Sequence, residues 1–467
     1  MNLKKLFLIL LFATASIRAK ANIRLPDIIG SNMVLQQKHK VKLWGWADPY
    51  EKITIKGSWN REVYEAMGTR DAKWEIELQT PAAGGPYTIS LQGKNSLLLE
   101  NVLIGEVWLC AGQSNMEMSG NWGLPDIQNE LPQAYQRELR FFHIAKTTAA
   151  FPQEQVQGQW VVCDSNTLKT FSAAAYFFGK KLHQQLGAPV GLIEAAWGGT
   201  AAEVWTPDSV VNNDPVLKKA ATLIQPSGMC PYMPGSAYNG MIAPITSYAI
   251  AGVIWYQGEN NTDAAVTYRP LFTALIGAWR RAWGQQLPFY YVQVAPFRYK
   301  KINAGALLRE AQWQCSSIPH TGMVATNDIT GNVDDVHPRN KHDVGLRLAN
   351  WALADHYGQA GIAYKSPEYK SMQVKGAKAV IKISGAEAGL IIKGDSLAEM
   401  QIAGADKVFY PAEATIQGDR IVVWNTEVKK PMAVRYCFTD TAIGNVSNSA
   451  GLPLLPFRTD RWAFPGF

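Results

Sequence analysis

Residues 105–118 read Gly-Glu-Val-Trp-Leu-Cys-Ala-Gly-Gln-Ser-Asn-Met-Glu-Met, and Ser114 among them has the setting of a catalytic nucleophile. The apolar run from Val102 to Cys110 has the character of a buried parallel strand. Ala111 and Gly112 then let the backbone turn sharply. A serine on such a turn is lifted out of the sheet, and its own N–H can face a substrate oxygen.

A serine nucleophile needs a base, and the base needs an acid to orient it. Of the seven histidines, His337 stands out, because residues 334–338 read Asp-Asp-Val-His-Pro. Asp334, three residues before His337, is placed to accept a hydrogen bond from the imidazole and fix its tautomer. Pro338 then leads into a helical stretch from Arg339 to His356. The same carboxylates also suit a cap on that helix.

Two further segments have the chemistry of an oxyanion hole. Residues 189–200, Pro-Val-Gly-Leu-Ile-Glu-Ala-Ala-Trp-Gly-Gly-Thr, run a short apolar strand into paired glycines, where backbone N–H groups can approach a ligand closely. Residues 252–261, Gly-Val-Ile-Trp-Tyr-Gln-Gly-Glu-Asn-Asn, again bring a strand to a glycine, flanked here by amide side chains able to donate.

Gly-Gln-Ser-Asn-Met, Trp-Gly-Gly-Thr, Gln-Gly-Glu-Asn and Asp-x-x-His-Pro, in this order, resemble the blocks of the SGNH hydrolase superfamily. More closely, the chain resembles the sialate O-acetylesterase family and related carbohydrate acetylesterases, by motif over roughly residues 100–357. The phrases at 32–37 and 456–460 also look like that family. The resemblance implies Ser114 as nucleophile, His337 as general base and Asp334 as its orienter. It implies the N–H groups of Ser114 and Gly198 as oxyanion donors, with Asn260 or Gln257 as the third; the sequence leaves those two open. Gln113, Gly199, Glu259 and Arg339 flank these positions and are expected to bind substrate. No metal and no organic cofactor is implied.

A second string, Gly394-Asp-Ser-Leu397, spells the signature of a large SGNH subgroup. No histidine follows His356, so Ser396 has no downstream base, and the segment reads as a turn in a β region. An α/β-hydrolase elbow is also excluded, since position 116 is Met rather than Gly.

The elements that must position these residues follow from periodicity. From residue 22 to 100 the pattern alternates, as in Val41-Lys-Leu-Trp-Gly-Trp46, which predicts a small β-sandwich domain. Residues 101–357 alternate apolar strands with helical stretches: Ala173 to Leu186 and Tyr268 to Trp283 read as helices, Phe289 to Val294 and Met323 to Asn327 as strands. This is an α/β pattern with a mostly parallel sheet, the three-layer α/β/α, flavodoxin-like arrangement that the SGNH resemblance implies. Alternation returns over 358–467, a C-terminal β-rich region.

Composition bounds the class. The 467 residues allow two or three domains. Residues 1–21 have the charged start, apolar centre and small-x-small end of a signal peptide, too short to span a bilayer, which places the chain in the periplasm or outside the cell with no membrane attachment after leader cleavage. Loss of Lys4, Lys5, Arg18 and Lys20 lowers the formal charge from +7 to +3, which is no argument for nucleic acid. The five cysteines match no metal pattern. The sequence sets no oligomeric state.

Two functions compete: a secreted serine esterase that removes O-acetyl groups from carbohydrate, and a carbohydrate-binding surface protein on the same scaffold without chemistry. The set Ser114, Asp334 and His337 favours the esterase. A sialic acid substrate would require an arginine for its carboxylate, with Arg298, Arg309 and Arg339 as candidates. Acetylated plant polysaccharide would require none.

Overall fold

The computed structural model describes residues 23–464 and 466, so the leader expected over residues 1–21 lies outside the described residues. At its centre is a sheet in the order Thr321–Val324, Phe289–Val292, Gly252–Tyr256, Ser96–Gly112, Val190–Ala196, Gln136–His143, Trp160–Cys163. All neighbours pair in parallel except the last two, which are antiparallel. The residues of Gly252–Tyr256 and Val190–Ala196 are buried throughout. A strand covered on both faces is mostly apolar, which is why these segments read as hydrophobic runs, broken only by Glu194, which is buried against His143 and the Ser172 N–H.

Alternate residues of these strands feed two separate cores. Val107, Leu109, Val253, Trp255 and Tyr291 pack with the Tyr268–Trp283 and Ala304–Gln314 helices. Trp108, Cys110, Ile254, Tyr256 and Tyr290 pack with Ala173–Leu186 and Lys341–Trp351. The two-residue period of a strand thus divides the sheet between two helical layers, giving α/β/α. The Ala173–Leu186 helix has the ends its sequence announces. The Ser172 side chain accepts from the Ala175 N–H at 3.2 Å, and Gly187 takes the left-handed conformation that stops it. Gly345 permits the close approach of the partner helix: a Cβ there would lie 2.6 Å from the Phe177 Cβ.

The N-terminal strands join this body directly. Lys40–Trp46 pairs with Lys73–Gln79, and Lys52–Gly57 with both Tyr64–Met67 and Gly84–Gln92. Gly84–Gln92 pairs in turn with Ser96–Gly112. That last strand is 17 residues long and runs unbroken through residue 100, from the β region into the centre of the α/β sheet. The C-terminal region forms two four-stranded antiparallel sheets and one two-stranded sheet around their own hydrophobic cluster. It is fastened to the α/β body by Asp440, which accepts from the N–H groups of Asn303 and Gly305 at 2.7 and 2.8 Å at the head of the Ala304–Gln314 helix. Ser396 is exposed in the loop between Leu390–Ile392 and Met400–Ala403, with no histidine near it in the chain.

Candidate active site

After Ser96–Gly112 the chain builds Gln136–His143 and Val190–Ala196 on one side, then crosses to Gly252–Tyr256 on the other. The crevice at the carboxyl end of Ser96–Gly112 is therefore the switch point of the sheet, where open α/β sheets bind ligands. Register makes this concrete. Gly112 lies opposite Ala196 on one side and Tyr256 on the other, so the three segments singled out in the sequence leave the sheet side by side. Gly112 has φ +145, and a Cβ there would lie 2.2 Å from the Tyr256 carbonyl oxygen. Only glycine lets the chain turn at this point. Ser114 begins the short Ser114–Glu117 helix, so its N–H has no intrahelical acceptor.

His337 Nε2 lies 2.9 Å from Ser114 Oγ across 223 residues of chain. The Trp122 ring meets the imidazole edge-on at 5.3 Å between centroids. Burial, foremost, and the nearby Lys341 push His337 below its ordinary value, while Asp335 opposes them. This keeps the imidazole neutral and able to accept a proton. His342 is on the surface, with Nδ1 3.0 Å from Asp343.

The carboxylate nearest His337 is not that of Asp334. Asp334 Oδ1 accepts from Arg298 at 2.8 Å, in an exposed pair. The carboxylate beside His337 belongs to Asp335, with Oδ1 3.7 Å from Nδ1 and 2.9 Å from the His337 N–H that it accepts. The cause is local. An aspartate accepting from the N–H two residues on closes an Asx turn, which folds Asp335 back over the ring and leaves Asp334 outside.

The groups expected to donate to an oxyanion are held differently from one another. The Gly198 N–H, expected to be free, donates to Glu117 Oε2 at 2.7 Å; Glu117 Oε1 in turn accepts from Lys146 at 2.6 Å. Gln257, the other expected donor, is fully buried and its amide is engaged, donating to the Thr200 carbonyl at 3.1 Å and to Asn261 Oδ1 at 2.7 Å. Its Oε1 accepts from Tyr268 at 3.1 Å. Gln257 is a hub of the loop, because it directly follows a buried strand and inherits that burial. Asn260 lines the cavity with Ser114 and His337 and gives one amide hydrogen to the Gly199 carbonyl, leaving the second. Gly199 lines the same cavity. Gln113 and Glu259 lie in its wall but are buried and turned inward, Gln113 Oε1 accepting from the Gly258 N–H at 3.3 Å and Glu259 Oε1 from Asn115 at 2.5 Å.

Asn115 and Lys341 were not anticipated. Asn115 is buried between three segments: it donates to Glu259 and to the Val336 carbonyl at 3.1 Å, and accepts from Lys341 at 2.6 Å. Lys341 is fully buried, and that burial pulls it down to about 7. Burial also pushes Glu259 up. The sequence offers one late signal for Lys341, its position four residues after His337 at the start of a helix.

The cavity above these groups has a volume of about 720 Å³. Trp122, Met229, Pro231 and Tyr232 supply apolar and aromatic wall; Glu203, Glu259 and Asp263 supply carboxylates; among the described residues lining it there is no Lys or Arg. Arg339 donates instead to the Gly123 carbonyl outside the cavity, and Arg309 is buried against the Thr439 carbonyl. With Arg298 bound to Asp334, none of the three arginines faces Ser114. Among the described residues no group of three or more His, Cys, Asp or Glu side chains could hold a metal ion.

Residues 104–354 match the family model described as carbohydrate esterase, sialic acid-specific acetylesterase. The sialate O-acetylesterase of Homo sapiens is 26% identical over 400 residues, covering 77% of this chain and 76% of that protein. That of Rattus norvegicus is 27% identical over 436 residues, covering 79% and 80%. Among solved structures, a carbohydrate acetylesterase from Xanthomonas citri superposes with a TM-score of 0.87 at 35% identity, covering 94% of this chain and all of that one.

Proposed function

The chain belongs to the sialic acid-specific acetylesterase family of carbohydrate esterases, and from that premise we propose that it removes O-acetyl groups from a neutral polysaccharide through an acetyl-Ser114 intermediate. The observation that carries the chemistry is the 2.9 Å contact between Ser114 Oγ and His337 Nε2 at the floor of an open cavity. His337 takes the hydroxyl proton as Oγ attacks the acetyl carbonyl. The Ser114 N–H and the free amide hydrogen of Asn260 stabilise the oxygen as it becomes negative. His337 then passes its proton to the departing sugar hydroxyl. Water, deprotonated by the same imidazole, attacks the acetyl-serine; the imidazolium returns that proton to Ser114 Oγ as the acyl bond breaks, and acetate leaves. Asp335 holds the ring and stabilises the imidazolium that forms at each half-reaction. A binding-only scaffold would have no use for a neutral histidine held on a serine hydroxyl.

The charge of the wall supports the choice of substrate. No Lys or Arg lines the cavity and its one exposed carboxylate is Asp263, so a sialic acid carboxylate would find no cationic partner there. A neutral acetylated chain meets aromatic surface and hydrogen-bonding groups. Export through a leader at residues 1–21 belongs to the same proposal. No helix among the described residues is long and apolar enough to cross a membrane. Acetate release should be measured on acetylated xylan, acetylated xyloglucan and O-acetylated sialoglycans. Release from the neutral chains at least tenfold faster in kcat/KM supports this reading, and preference for the sialoglycan overturns its substrate half.

A further inference from the structure

Lys341 is the first residue of the Lys341–Trp351 helix, yet its side chain lies wholly beneath the cavity. A buried ammonium is costly unless its hydrogens and charge are matched. Here Nζ lies 2.6 Å from Asn115 Oδ1 and 4.8 Å from the centre of the Tyr256 ring. The charge is met by Glu259, linked through Asn115 Nδ2 at 2.5 Å. The titratable groups facing Lys341 are Glu259 from the turn after Gly258, Asp335 and His337 from the loop before its own helix, and Tyr256 from the central sheet. Asn115 also donates to the Val336 carbonyl. One ammonium thus braces the residue after the nucleophile against the residue before the base.

We propose that protonated Lys341 is a positioning residue that clamps Asn115 between Glu259 and Val336, sets the Ser114–His337 contact, and makes turnover fail on the alkaline side when its proton is lost. The inference rests on the esterase reading of Ser114 and His337. Burial is the main cause that lowers Lys341, to about 7, with Glu259 and Asp335 opposing it. A group that works protonated supports turnover below that value and ceases to do so as the pH rises through it. The neutral amine keeps a weaker hydrogen bond to Asn115 and leaves the Glu259 charge buried without its counter-charge.

The test is the pH profile of kcat on a small acetyl ester for the wild type, Lys341→Met, Glu259→Gln and Ser114→Ala. The wild type should lose turnover above neutrality. Lys341→Met should lower kcat at least tenfold and abolish that alkaline limb. Its acid limb should move to higher pH, because the cation that depresses His337 is gone. Glu259→Gln removes a carboxylate that sustains the Lys341 charge, so its alkaline limb should move to lower pH. A histidine NMR titration of the resting protein reads the same coupling without turnover: His337 should take up its proton at higher pH in Lys341→Met. Limbs that superimpose on the wild type in both variants overturn the proposal, as does an unmoved His337 titration. If Lys341→Met does not fold, the displaced limb of Glu259→Gln decides alone. Ester hydrolysis that survives Ser114→Ala refutes the esterase reading instead, and the NMR titration still judges Lys341.

Discussion

The Gly198 N–H donates to Glu117 Oε2 at 2.7 Å, tying the glycine turn after Val190–Ala196 to the helix that Ser114 begins. Glu117 lies one helical turn beyond the nucleophile, and Lys146 holds its other oxygen. A carboxylate accepting from a backbone N–H makes a charge-assisted bond that contributes about 1.5–3 kcal/mol. Glu117→Ala should therefore loosen the turn and lower kcat by roughly tenfold, about 1.4 kcal/mol of barrier. Glu117→Gln keeps an acceptor oxygen and should recover most of that loss. Steady-state kinetics of the two variants check this, and equal defects would show that charge, not the hydrogen bond, is what matters.

Ser114→Ala should abolish acetyl release, by at least about 10⁴-fold, while leaving the melting temperature close to the wild type, since a small side chain at a turn is shortened. Ser396→Ala should leave kcat/KM unchanged, because that serine is exposed in a C-terminal loop. The measurement is initial rates on one acetyl ester with thermal melts in parallel.

The two adjacent aspartates should behave differently. Asp335→Asn removes the carboxylate 3.7 Å from His337 Nδ1 and should lower kcat by about 10²- to 10⁴-fold. Asp334→Asn breaks only an exposed pair with Arg298 and should change kcat by less than about twofold. A larger loss in Asp334→Asn would assign the orienting role to that residue.

Asn260 and Gln257 should separate by kinetic signature. Asn260→Ala removes an amide hydrogen available in the cavity and should lower kcat by about 100- to 1,000-fold with little change in KM. Gln257→Ala strands the Thr200 carbonyl in a buried loop, while Tyr268 keeps its bond to the Gln257 backbone carbonyl. An unsatisfied group costs about 1–3 kcal/mol, so this variant should show first a lowered melting temperature.

Acid sensitivity should be low. The base works unprotonated, and burial lowers His337 below the ordinary histidine value. Activity should therefore persist as the pH falls through about 6.5 and decline only below it. The pH dependence of kcat/KM reads the free enzyme; an acid limb above that value would mean that Asp335 outweighs burial.

Much of this protein follows from local sequence. The apolar run to Gly112, the Ser114 turn and the helices Ala173–Leu186 and Tyr268–Trp283 were legible, because periodicity and end-capping act within a few residues. The pairing of Ser114 with His337 was legible as chemistry, since few other serines and histidines had a strand before them and a partner beside them. What local sequence leaves open is where each side chain points. Asp334 and Asp335 are equivalent on paper, and an Asx turn selects the second. Gln257 and Asn260 are both amides, and burial behind Gly252–Tyr256 withdraws the first while Asn260 lines the cavity. Glu117 satisfies the Gly198 N–H, and Lys341 reaches Asn115, only because the register of three parallel strands brings segments more than eighty residues apart to one end of the sheet. Hydrogen-bond partners across such separations are decided by packing, which no spacing within one segment encodes.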